Sequence, residues 1–297
     1  MRCDALTAER VMTGPRRASD NLAWRVGVLA VCALFALPAY ACESSLPLKG
    51  AVPITTCDPH AAGCKPAAEL VYEYTKSIPD DPRLFTIALH ASPWRLYDAE
   101  MRIITIEELA TTIRAKKGPD VEKVVLFGSW TDVAPARGGK SLARKLSDAL
   151  GGFPVGGMDG FLWIAKDGSA RTTHQAFTVK QSGIYRAMEG DEVMESLAVG
   201  WVAELEDRLV EKHDADNLMR AGAAWDIFHL CPEHALKTFE TAAKLSNSIA
   251  AYNAALMRLE RNADGDVKAA TALLSQAAEA GDAKAQLRLR KLEGAEQ

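Results

Sequence analysis

The sequence has no surplus of positive charge. Its 35 Lys and Arg stand against 39 Asp and Glu, a formal net of −4 over 297 residues. A nucleic-acid partner calls for a basic face, so that class is excluded at the outset. Long apolar runs are scarce too. Apart from one run near the start, no stretch approaches the roughly 20 apolar residues that a membrane-spanning helix needs. A Gly-x-Ser-x-Gly elbow is missing, because Phe127-Gly128-Ser129-Trp130-Thr131 lacks the second glycine. Cysteine is sparse, at six residues.

What is present begins with a targeting pattern. Arg16, Arg17 and Arg25 precede the unbroken apolar run Val26 to Leu37, which Pro38 ends, and Ala39-Tyr40-Ala41 fits a small-x-small cleavage site. Residues 1–41 are therefore expected to be a signal peptide, and the mature chain to be periplasmic with no integral membrane segment after cleavage. Cleavage would leave Cys42 first, and lipid anchoring there is the alternative to a disulfide. Four cysteines remain: Cys42, Cys57, Cys64 and Cys231. An even number in an exported chain suggests disulfides. Cys57 and Cys64 enclose a short Pro- and Gly-containing loop and are the expected pair, with Cys42 and Cys231 the second. A metal site at Cys57, His60 and Cys64 would lack a fourth ligand, so no metal is expected.

Residues 42–65 read as a Cys- and Pro-rich leader, and residues 66–185 as an α/β or α+β module. Pro66 opens a helical stretch over Ala67 to Ile78. Leu84 to Leu89 reads as a buried strand and Met101 to Ile104 as a brief one. Thr105 with Glu108 forms a capping box for a helix through Ala115. Val121 to Gly128 is the clearest strand, Lys140 to Leu150 a helix, and Phe161 to Phe177 a hairpin turning at Lys166-Asp167-Gly168. From residue 190 to 297 everything reads helical, including the stripe Val193, Leu197, Trp201, Leu205 and Leu209. The expected fold class is thus an α/β module followed by an all-α helical-repeat domain.

Three patterns could carry chemistry. Ala134 to Ser141 loosely fits a phosphate loop, yet Pro135 removes an amide and five residues separate it from the strand end at Gly128, so a Gly-rich entry to a helix accounts for it better. No cofactor is expected. Acyl transfer would use Ser129 with His90 or His174, and Asp132 or Asp159 as orienting acid. This is the rival, hydrolase-like reading. The tryptophans at 94, 130, 163, 201 and 225 fall mostly in apolar runs and suit packing better than partner anchoring.

The remaining pattern is a repeat. Displaced by 35 residues, Ala235 meets Ala270, Phe239 meets Leu274, Ala242-Ala243 meets Ala277-Ala278, and Ala250 meets Ala285. A period in the mid-thirties marks a helical solenoid. The segment from Tyr252-Asn253 through Asp264-Gly265-Asp266 to Leu274 and Gln286 resembles the Sel-one-like subclass of tetratricopeptide-type repeats over about Ala242 to Leu292, departing from its habit at Ala255 and Arg288. The resemblance implies a protein-binding adaptor or scaffold with protein partners, its contacts at Tyr252, Asn253, Met257 and Arg288. Some exported members resemble immunity proteins that neutralise a secreted toxin, a narrower expectation of the same kind.

Overall fold

In the computed structural model, the described residues are 51–58, 60–181, 185–186 and 202–295. Residues 1–41, expected to be a signal peptide, Cys42, the connector at Gly183 and Gly190, and the stripe residues Val193, Leu197 and Trp201 lie outside them.

The centre of the α/β module is a three-stranded parallel sheet of β3 (Leu84–Ala88), β7 (Lys123–Phe127) and β8 (Val155–Gly156), in the order β3-β7-β8. Parallel strands need crossovers, and helices α2 (Ile106–Lys116) and α3 (Leu142–Ala149) supply them. Both helices start where side-chain chemistry dictates. Thr105 and Glu108 form the reciprocal capping box that the sequence predicts, and the Ser141 hydroxyl accepts from the Arg144 amide. Val124 and Leu126 on β7 pack against Leu109, Ala110 and Ile113 of α2 and against Leu142, Ala143 and Leu146 of α3. An alternating strand and two apolar helix stripes thus close one core.

Around this sheet lie three smaller sets. A hairpin-like unit of β4 (His90–Ala91), β5 (Leu96–Tyr97) and β6 (Ile103–Ile104) leaves the end of β3. The predicted hairpin forms β9 (Phe161–Ile164) and β10 (Ala170–Thr173), paired antiparallel. The fourth set differs from expectation. The leader segment β1 (Ala51–Thr56) is a strand, paired in parallel with β11 (Ala176–Gln181), and β12 (Tyr185–Arg186) with β2 (Lys65–Pro66) extends that sheet. A pairing across 125 residues, from Ala51 to Ala176, leaves no local period to read. Helix α1 (Ala67–Thr75) follows β2. Cys57 and Cys64 form the expected disulfide, with Cα atoms 5.9 Å apart. Cys231 is also disulfide-bonded.

The C-terminal part is a run of helices: α4 (Val202–Glu211), α5 (Ala215–Ile227), α6 (Pro232–Lys244), α7 (Ser248–Arg261), α8 (Asp266–Glu279) and α9 (Ala283–Ala295). The fold class is therefore an α/β region followed by helices. Close approach is made by small residues. A Cβ on Gly222 would stand 2.7 Å from the Phe239 ring, so only glycine lets α5 and α6 come this near. Ala235, Phe239, Ala242, Ala250, Ala270, Leu274, Ala277 and Ala285 all sit in one core. Asn247 caps α7, and Asn262 ends it in the left-handed conformation that terminates helices. Among the described residues no helix is long and apolar enough to cross a membrane.

Candidate functional site

The two parts meet along the β4–β5–β6 unit. Tyr97, Met101 and Ile103 enter the same core as the helices, so this unit sits inside the helical array. Two polar clusters fix its position. Asp226, wholly buried on α5, accepts from Ser92 Oγ at 2.6 Å, Tyr97 Oη at 2.8 Å and Arg95 Nη1 at 2.7 Å. The other arm of Arg95 reaches Glu260 at 2.7 Å. Burial works against the Arg95 charge, and the carboxylates of Asp226 and Glu260 outweigh it, so its pKa is raised. Burial and the neighbouring Asp226 charge both push the Tyr97 phenol well above its usual range. The second cluster is a backbone clamp. Asn253 accepts from the Ile103 amide at 2.9 Å and donates to the Met101 carbonyl at 2.8 Å. Arg102 pairs with Asp282 and lies over the Tyr252 ring.

This geometry relocates the residues assigned to partner contact. Tyr252, Asn253 and Met257 are buried, and their face of α7 is filled by residues of the chain's own α/β module. They cannot serve as an open surface, because the groove expected to take a partner is occupied internally. Arg288 on α9 is different. It is half-buried and makes no hydrogen bond or ion pair among the described residues, and its Nε is buried without an acceptor. Asp226 and Arg95 escaped the sequence reading. The signal for Asp226 was an acid within an otherwise apolar helix, Ala223-Ala224-Trp225-Asp226-Ile227.

A third cluster lies within the array. Glu206 on α4 accepts from His234 Nε2 at 2.8 Å, Trp225 Nε1 at 3.1 Å and Thr238 Oγ1 at 2.7 Å. Burial alone would raise the Glu206 pKa, but the bonds from His234 and Thr238 outweigh it and bring it below the ordinary value.

The rival catalytic residues gather at the C-terminal end of the parallel sheet, where open α/β sheets place their ligands. Ala88 pairs with Phe127, and the Leu89 amide donates to the Phe127 carbonyl. His90 and Ser129 therefore leave neighbouring strands at matching positions. A Cβ on Gly128 would stand 2.7 Å from the Leu89 carbonyl oxygen, so glycine is required for this close approach. Ser129 Oγ accepts from the Leu162 amide at 3.0 Å. Trp130 follows with φ of 64°, a left-handed conformation that a bulky residue rarely adopts. Its amide is held by the Gly160 carbonyl. His174 stacks on Trp130 and must donate from Nε2 to the Asp159 carbonyl at 2.7 Å, which leaves Nδ1 as its basic nitrogen. Asp132 accepts from Ser141 Oγ, and so belongs to the helix entry.

Other sequence candidates have structural partners. Lys140 of the loose phosphate-loop match pairs with Asp148 at 2.7 Å, and Ser141 caps α3. Among the described residues no group of three or more His, Cys, Asp or Glu could hold a metal ion.

A family model described as a domain of unknown function, DUF8616, matches residues 61–172, which is the α/β module without its β1–β11 pairing. No curated protein and no solved structure matches the chain.

Proposed function

We propose that this is an exported, periplasmic polypeptide-binding scaffold with residues 1–41 as its signal and a short Sel-one-like array as its gripping part. The observation that carries the reading is the Asn253 clamp. One amide side chain holds both a donor and an acceptor of the backbone where the turn closing at Met101 enters β6, a way of holding polypeptide that does not depend on its side chains. The equivalent buried positions Ala235 and Ala270, Phe239 and Leu274, and Ala250 and Ala285 support the repeat assignment. With the inner face filled by residues 92–103, the array's first role is to hold the α/β module. An external partner would then meet the outer helices, where Leu287 is 46% exposed beside the unpaired Arg288.

Capture from the exported proteins of its own cells, with immobilised mature chain, tests this. One protein should be enriched in stoichiometric amount and lost with Leu287→Asp and Arg288→Ala. An empty capture, or one indifferent to both substitutions, would sink the reading.

A second reading has its own support. The strand register that carries His90 and Ser129 off the same end of neighbouring strands, with the strained Trp130 following, suits a hydrolase-type site with Ser129 as nucleophile and His90 as base. Hydrolysis of activated ester probes should then vanish in Ser129→Ala with the circular dichroism spectrum unchanged. Turnover equal to wild type in that variant removes this reading.

A further inference from the structure

β3 is the outer strand of the β3-β7-β8 sheet, and nothing among the described residues pairs with its free side. The sequence reads Leu84 to Leu89 as a buried strand, yet no residue of β3 is buried, and Leu84 is 40% exposed. The ladder fixes the backbone directions. The Arg83 carbonyl accepts from the Lys123 amide and the Leu89 amide donates to the Phe127 carbonyl, so residues 83, 85, 87 and 89 point toward β7. Leu84, Thr86 and Ala88 therefore turn their backbone groups outward. The Leu84 amide is taken by the Asp81 carbonyl at 2.9 Å. The amides of Thr86 and Ala88, and the carbonyls of all three, have no protein partner among the described residues.

Exposed edges are ordinarily blunted by charge, proline or a bulge. β3 has none of these. Leu-Phe-Thr-Ile-Ala holds no charge or proline and runs in unbroken register with β7, and the preceding Arg83 is paired with Asp81 at 2.8 Å. The sheet's two faces are unequal as well. Helices α2 and α3 pack on the face of Phe85, Ile87, Val124 and Leu126. The opposite face carries Leu84, Thr86 and Ala88, all exposed, although parallel sheets are ordinarily covered on both faces.

Open donors and acceptors alternating along a strand are matched by another strand. Three features select a second copy of this chain. An antiparallel copy centred on Thr86 sets Thr86 opposite itself and Leu84 opposite Ala88. Each Thr86 amide then finds the other Thr86 carbonyl, and each Ala88 amide the other copy's Leu84 carbonyl. Charge is complementary too. Helix α3 packs on β8 and α2 packs on α3, so α2 lies on the β3 side. With strands about 4.8 Å apart, the two copies of α2 come within about 10 Å, antiparallel and side by side. The acidic first turn of each, with exposed Glu107, then lies beside the basic last turn of the other, with exposed Lys116. Closure is the third feature. The far edge, β8, has only two residues, so growth through β3 stops at two copies.

We propose that β3 is the interface of a symmetric dimer, in which two copies of this chain pair antiparallel about Thr86 and join their parallel sheets into one. The dimer does not depend on the polypeptide-binding reading, whose contacts lie on α9 and are read by capture.

Sedimentation equilibrium of the mature chain should show a mass rising with concentration from one copy to two and no further. Thr86→Lys sets two like charges across the axis and should weaken association at least tenfold. In Thr86→Cys the paired position puts Cα atoms about 5.5 Å apart, within disulfide reach, so mild oxidation should link two copies. Leu84→Cys, set opposite Ala88, should not link. The cross-link is read on its own variant, so a poorly folded Thr86→Lys does not shield the proposal. A single copy at every concentration, assembly beyond two, a dimer unchanged by Thr86→Lys, or no link from Thr86→Cys overturns it. So does a chain that stays single while binding an added Leu-Phe-Thr-Ile-Ala peptide, which would assign the edge to a foreign strand.

Discussion

At the scale of single residues, a few buried polar groups are the costly ones to disturb. Asp226 compensates Arg95, and removing one partner of a buried pair strands the other charge. Asp226→Ala should cost about 3–5 kcal/mol in urea unfolding. A loss below about 1 kcal/mol, the range of an exposed ion pair, would show that Arg95 is compensated elsewhere. Glu206 predicts a pH response. Its folded pKa lies below the ordinary value of 4.5, so the native state holds that proton less tightly than the unfolded chain. The resulting stabilisation is complete above the unfolded value and is lost as pH falls through the lower folded one. Glu206→Gln should therefore flatten the decline in unfolding free energy below about pH 5. Parallel curves for variant and wild type would count against it.

Among the elements, those with local signals were legible in the sequence. The Thr105 and Glu108 capping box, the strand expected over Val121 to Gly128, and the helical spacing of the C-terminal part each depend on neighbours a few residues away. Helices α2, α3 and α5 to α9 follow. The β1–β11 pairing depends on partners 125 residues apart and left no trace beyond a Pro- and Gly-rich leader. The candidate site was half legible. Ser129, His90 and His174 were picked by residue type, and the register between β3 and β7 brings the first two to the same sheet end. Tyr252, Asn253 and Met257 were placed on an open face because helical spacing tells which residues share a side, and not what covers that side. Gly222 gives the prediction at this scale. Gly222→Ala forces a methyl group against the Phe239 ring and should cost about 1–3 kcal/mol by overpacking, despite alanine's better helix propensity. A more stable variant would mean that α5 and α6 can part without loss.

For the molecule as a whole, the internal clamp joins two architectures into one cooperative unit. The described residues form a single compact body, and the core that contains Tyr97, Met101 and Ile103 runs on into the helices. Tryptophans report both parts, with Trp94 and Trp130 in the module and Trp225 in the array. Fluorescence and far-ultraviolet circular dichroism should give coincident urea transitions with one midpoint. Two separated transitions would show that the module folds without the array.

The Asp226 cluster also bears on how the chain reaches this state. Its bonds to Ser92, Arg95 and Tyr97 span 134, 131 and 129 residues, and Asn253 reaches back 150 to Ile103. Such closures come late in folding, since the entropy of a long loop is lost before its contacts form. A chain emerging from synthesis or export displays Arg95 and Tyr97 long before α5 and α7 exist to receive them. Until the last third of the polypeptide arrives, Tyr97, Met101 and Ile103 have no helical core to enter, while Ala91 and Leu96 of the same unit already pack in the α/β module, so the segment stays half-seated until the helices close over it.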